Sequence, residues 1–174
     1  MIRRSAVAAM LVALTLGATA CTPTAEPTPT PTGFASDEEA FAAAEATYRE
    51  YVDALNAVDL SEPATFEDVY AWLTGDALDA AKKSLTQMHS DGWVVDGNSV
   101  VSQVVPNTLD SDAGLAELDV CLDVSKVTLV DEQGISQSGD RPTEQAFAVD
   151  VNFDGDSWLI SKFAGREGPP ECLR

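Results

Sequence analysis

The chain has 174 residues, about one domain once processing segments are set aside, and 45% of them are hydrophobic, enough for one core but too few for a multi-span membrane protein. Asp and Glu number 29 against 10 Lys and Arg, a formal net charge of −19. Such an excess of acid excludes most nucleic-acid binding, which needs clustered cations on phosphates. One His and three Cys leave no ligand set for zinc.

Taken in chain order, residues 1–20 read as an export signal. Arg3 and Arg4 precede a run of Ala, Val, Leu, Met, Thr and Gly that is too short to span a bilayer, which takes roughly twenty apolar residues. The exit, Ala18-Thr19-Ala20-Cys21, resembles the lipobox of bacterial lipoproteins, with Ala18 where Leu is usual. The resemblance implies cleavage before Cys21 and a diacylglycerol thioether on its sulfur. The alternative is plain secretion after Ala20, which leaves Cys21 as an odd free thiol. Cleavage removes Arg3 and Arg4 and no acid, taking −19 to −21. The anchor would hold the chain at the outer face of the cytoplasmic membrane through two or three acyl chains, at about 0.8 kcal/mol per buried methylene. Residues 21–35 form the lipidated Cys and a Pro/Thr-rich linker, with prolines at 23, 27, 29 and 31. At about 3.1 Å per residue its twelve spacer residues reach some 35 Å from the bilayer. Glycosylated threonines are the competing reading of that segment.

Residues 36–174 read as a single α+β domain, helices first and an antiparallel sheet afterwards. Ser36-Asp37-Glu38-Glu39 is a capping box. Phe41, Ala44, Tyr48, Tyr51, Leu55 and Val58 then predict one apolar helical stripe running to about Leu60. Pro63 stops it. A second helix with Phe66, Val69, Tyr70 and Leu73 inward ends at Gly75, and a third runs from Asp76 to Gly92 with Leu78, Ala81, Leu85 and Met88 inward. After Trp93 the period changes to two. Val94–Val105 predicts one strand interrupted near Gly97, and a second through Leu118, Val120, Leu122 and Val124 is expected to run on to Val130. Phe147, Val149, Val151 and Phe153 lead into Asp154-Gly155, a hairpin signal, with Trp158–Phe163 returning.

Several phrases carry a resemblance to a known group: Tyr51-Val52-Asp53-Ala54-Leu55-Asn56, Thr74-Gly75-Asp76-Ala77-Leu78, Val120-Cys121-Leu122-Asp123-Val124-Ser125, Asp140-Arg141-Pro142, Asp154-Gly155-Asp156-Ser157-Trp158 and Gly168-Pro169-Pro170-Glu171-Cys172. They resemble uncharacterised actinobacterial lipoproteins with a nuclear transport factor two-like (SnoaL-like) cone-fold domain. The resemblance implies a curved sheet behind the helices and an envelope address. It implies no activity, since cone folds host many.

Candidate chemistry is sparse. In an exported chain whose Cys21 is lipidated, Cys121 and Cys172 are the natural disulfide pair; free thiols or a redox pair are the alternatives, and the wide spacing lacks a Cys-x-x-Cys arrangement. Asp119 and Asp123 lie about 13 Å apart on one strand face, too far to share a proton, and read as its solvated side. His89 near a helix end fits the helix dipole better than catalysis, having no visible partner. Tyr48, Tyr51, Tyr70, Trp72, Trp93 and Trp158 read as core packing, or else as the lining of a pocket for a small apolar ligand, with Trp72 a rim or partner contact. Asp154-Gly155-Asp156 is a turn, not a calcium loop. The acidic surface reads as solubility, with capture of cations as the alternative. No metal or cofactor is expected. The absence of paired catalytic groups points to a non-enzymatic binding or interaction domain, whose partner is an envelope protein or small ligand. The alternative is a cone-fold isomerase, dehydratase or hydrolase acting on a small lipophilic molecule.

Overall fold

The computed structural model describes residues 34–172; the expected signal segment, Cys21 and most of the linker lie outside the described residues. Three helices lie along a four-stranded antiparallel sheet, and a two-stranded flap bends over one end. This is the expected α+β cone.

Helix α1 (Asp37–Asn56) begins with the Ser36 hydroxyl accepting from the Glu39 amide at 3.2 Å, while the Glu39 carboxylate accepts from the Ala35 amide at 2.9 Å. Phe34 already packs on Phe153 and Trp158, so the folded domain starts inside the expected linker. The buried stripe of α1 is Ala40, Ala44, Thr47, Tyr48 and Val52, rotated slightly from the predicted one. Ala40 and Ala44, fully buried, have no bulk to hold the helix off the sheet. The larger residues Tyr51, Leu55 and Val58 face the cone's hollow instead. The helix ends four residues short of Leu60. Asn56 turns its side chain to the Ser99 backbone, and Asp59 accepts from the Ser61 amide at 2.8 Å, a local bond that competes with the helix.

A 3-10 turn (Pro63–Thr65) leads to α2 (Phe66–Tyr70), and α3 follows (Gly75–Ser90). Between them Trp72–Thr74 runs along the edge of the sheet. The Trp72 carbonyl accepts from the Ile160 amide at 2.9 Å, and the Thr74 amide donates to the Ile160 carbonyl at 2.8 Å. An open edge is thereby closed.

The strands are β1 (Val94–Asp96), β2 (Val100–Asp110), β3 (Leu115–Asp123), β4 (Thr128–Val130), β5 (Glu144–Phe153) and β6 (Trp158–Gly165). The main sheet has the order β2-β3-β5-β6, and β1 pairs with β4 separately. The first valine-rich run is interrupted at Gly97–Ser99, as expected, and its two parts join different sheets; the second, expected to run unbroken to Val130, is broken at Val124–Val127. The breaks meet. Gly97 has φ +84°, and a Cβ there would stand 2.0 Å from the Lys126 carbonyl oxygen. Only glycine allows that approach. The β1–β4 flap peels away from the sheet at this corner. Irregularities between Val101 and Gln103, Pro106 and Thr108, and Asp150 and Val151 curve the sheet. Pro106, which has no N–H to donate, is tolerated because β2 is an edge strand.

Ala116, Leu118, Val120, Val149, Val151 and Ile160 face the helices and are fully buried. Together with Trp158 they form the core at the closed end of the cone, and Tyr48 and Val69 carry that core to the edge of the hollow.

Candidate functional site

The other end is hollow. Where α1 runs past Val52, where α3 presents Ala77, Ala81, Leu85 and Met88, and where the flap stands off the sheet, a cavity of about 540 Å³ opens. Phe147, Phe163, Leu122 and Val124 form its sheet wall, and Val95, Val127 and Leu129 its flap wall. The size lies within the roughly 300–1,000 Å³ of small-molecule sites, and the lining is mainly apolar with a few polar groups, as such sites are.

Those polar groups differ in what they have left to offer. Asn56 is committed to a clasp: its amide donates to the Ser99 carbonyl at 3.0 Å and accepts from the Ser99 N–H at 2.8 Å, tying the end of α1 to the start of β2. Tyr48 and Tyr51 sit side by side, ring centres 6.2 Å apart, with Tyr51 against Phe163 at 5.3 Å. Burial holds the Tyr48 hydroxyl well above the usual phenol range; its neighbour Tyr51 adds to this and Arg49 opposes it. Burial also pushes Tyr51 up to about 12. Both remain neutral hydroxyls at physiological pH, able to donate or accept a hydrogen bond and poorly suited to proton transfer. Asp96 is exposed at the rim. Arg141 is half-buried, its Nη2 donating to the Val127 carbonyl at 2.8 Å.

The phenols give a pH signature. Each folded-state value lies above the unfolded value of 10.0, so the folded chain holds these protons more tightly. Their stabilising contribution is complete below pH 10 and is lost as the pH rises through the folded values. Thermal melts between about pH 9 and 12 are expected to show a falling Tm, less steeply in Tyr51→Phe.

Most other residues singled out in the sequence lie away from the cavity. Cys121 and Cys172 are bonded, with Cα atoms 5.6 Å apart, on the face of the sheet opposite the helices. Asp119 lies on that same face, but it is buried and not solvated. Its carboxylate stands 3.3 Å from Arg166 Nε, an ion contact rather than an aligned hydrogen bond, and accepts from Asn107 at 3.3 Å. The C-terminal segment after β6, held by the disulfide, carries Arg166 onto it. Asp123 is half-exposed, and hydrogen bonding from the Ser125 side chain, with its amide second, lowers the carboxyl below the usual range. Asp119 and Asp123 are not brought together. His89, in the last turn of α3, contacts the Leu60 carbonyl through Nδ1 at 2.7 Å and stacks edgewise on Phe66, joining α3 to the preceding loop. Of the aromatics, Tyr48 and Trp158 are core, Tyr70, Trp72 and Trp93 are half-buried, and Tyr48 and Tyr51 line the cavity. Asp154 caps its own hairpin by accepting from Asp156 and Ser157 amides. Cys121, Cys172 and Glu144 form a three-residue cluster among the described residues, but both sulfurs are consumed in the disulfide, leaving no thiolate for a metal.

Arg141, Gln145 and the Asn56–Ser99 clasp are cavity positions that sequence reasoning missed. Arg141 sits in one of the phrases carrying the family resemblance, but nothing in its spacing marks it as a cavity residue.

No family model matches the chain, and no curated protein is similar to it at a significant level. Solved structures do share its fold. The intermembrane space region of the chloroplast protein ARC6 superposes with a TM-score of 0.50 at 15% identity, covering 70% of this chain and 92% of that one. A candidate aromatic ring hydroxylase from Novosphingobium aromaticivorans superposes with a TM-score of 0.53 at 10% identity, covering 74% of this chain and 88% of that one. At such identities the likeness is one of architecture, and the chain is similar to both as an α+β cone.

Proposed function

We propose that this chain is a lipid-anchored, extracytoplasmic protein whose hollow cone binds a small lipophilic molecule without transforming it. The observation that carries the binding reading is the cavity of about 540 Å³, roofed by its own two-stranded flap and lined mainly by aliphatic and aromatic side chains. A domain that needed only a stable surface would have no use for so large an apolar hollow, since the side chains lining it forgo packing partners on one side. The non-catalytic part rests on the lining chemistry. Among the described lining residues there is no His, the one carboxylate is exposed Asp96, and the phenols are held neutral. No acid and base face each other across the hollow.

The address rests on Arg3, Arg4 and the lipobox-like exit at Cys21. Cells fed an alkyne-tagged fatty acid are expected to label the wild type and not Cys21→Ser, with the variant moving to the soluble fraction; equal labelling of both would refute the anchor. For the cavity, organic extraction of the purified protein should yield lipophilic small molecules, chemically unchanged after prolonged incubation with the protein. Turnover of such compounds, abolished by a single cavity substitution in a folded variant, would replace this reading with the enzyme one.

A further inference from the structure

We infer that the ligand is an amphiphile with one anionic head group, carboxylate or phosphate, and that Arg141 is the residue that reads it; the inference rests on the cavity being a binding site. Arg141 is the one cation among the described residues that line the hollow. Acids outnumber cations almost three to one in this chain, 29 to 10, and among the described residues Arg141, Lys82, Lys83 and Lys126 lack an ion pair, but the three lysines are exposed whereas Arg141 is half-buried. Its guanidinium is held by the Val127 carbonyl at 2.8 Å and the Val124 carbonyl at 3.5 Å, both on Nη2. These contacts fix its position where the sheet gives way to the flap and leave its charge uncompensated. Five N–H donors make up the group; with Nη2 engaged, Nε–H and both hydrogens of Nη1 remain on separate edges of the guanidinium, available to an anion as single charge-assisted hydrogen bonds.

The rest of the lining fits the remainder of such a molecule. Asn56 is committed to Ser99, and Tyr48 and Tyr51 are neutral, so no other described lining residue offers a charge that an anion would seek. Asp96, of opposite sign, is exposed and screened by solvent. Phe147, Phe163, Leu122 and Met88 provide the wall for an apolar tail. A purely apolar ligand would leave a half-buried guanidinium without an anion; a cationic one would be repelled by it. Charge-assisted hydrogen bonds are among the stronger ones, and their loss is expected to cost roughly ten- to hundredfold in affinity.

The test uses the Cys21→Ser chain and four probes of equal chain length: dodecanoate, dodecyl phosphate, dodecanol and dodecyltrimethylammonium, followed by calorimetry below the micelle concentration of the ionic probes and the solubility limit of dodecanol. At least one of the two anions is expected to bind about tenfold or more tightly than dodecanol, and the cation more weakly than either; the tighter anion identifies the head group. Arg141→Gln should erase the preference of the anions over dodecanol, and Arg141→Lys should retain part of it. The wild-type comparison decides the matter even where a variant fails to fold. Equal affinity of the wild type for anions and dodecanol would overturn the role of Arg141 and leave the apolar site standing. No saturable binding of any probe would overturn the binding site itself.

Discussion

Asp119→Ala is expected to destabilise the domain by about 3 kcal/mol or more, a large effect for a single carboxylate. Asp119 and Arg166 are each about nine-tenths covered in their side chains. Truncating the aspartate strands a guanidinium between β3 and the C-terminal segment, with Cys121 Sγ 4.0 Å away and the Gly168 carbonyl as its remaining close partner. An uncompensated buried charge costs far more than the pair contributes, so the direction of the companion experiment is fixed. Asp119→Leu with Arg166→Met should be markedly less destabilising than Asp119→Ala alone. Urea denaturation of Asp119→Ala, the double variant and its two component single variants, Asp119→Leu and Arg166→Met, checks this. A double variant as damaged as the sum of its parts would show that the pair acts through something other than mutual charge compensation.

Loss of the disulfide is the second large effect. Cys121 and Cys172 are 51 positions apart. Closing a loop of that length restricts the unfolded chain by roughly 4 kcal/mol in the chain-entropy model. Cys172→Ser, or reduction of the wild type, should therefore lower Tm by about 10–15 °C. The bond also holds down the segment that carries Arg166, so the two effects share a cause. Asp119→Ala in a Cys172→Ser background should cost clearly less than it does with the disulfide intact. Differential scanning calorimetry of the two single variants and the double measures that coupling, and strict additivity would show that the tail stays seated without its staple.

Local rules made much of this fold readable. The Ser36 cap, the Asp154-Gly155 hairpin and the alternation through Val149 and Val151 are each determined by residues near one another in sequence, and each appears where expected. The pairing of Cys121 with Cys172 followed from export and from counting cysteines. The interruption near Gly97 was readable too, but that the chain leaves the sheet there, and the break at Val124–Val127, were not. A run such as Val100–Val105 has the same period whether the chain stays in one sheet or leaves it, and the corner exists because Gly97 meets Lys126 across the molecule. Asp119 was misread for a similar reason: alternation places it on the face away from the helices, but only the returning tail after β6 covers that face. The cavity was the hardest feature to foresee. Tyr48, Tyr51 and Leu55 have helical spacing that packs a core equally well, and whether they bury against a sheet or face a hollow depends on how far the sheet curves.

The central claim is that the hollow is a ligand site, and Ala81 offers the most direct way to test it. Ala81 lines the cavity from α3, so Ala81→Trp would place an indole in the space while leaving the surrounding backbone intact. A titration of an environment-sensitive apolar dye into the Cys21→Ser chain should show saturable, one-site binding. The same titration into the Ala81→Trp form, with an unchanged circular dichroism spectrum, should show affinity at least about tenfold weaker. Binding that survives the filled cavity, or a wild type that binds no dye, would contradict the account.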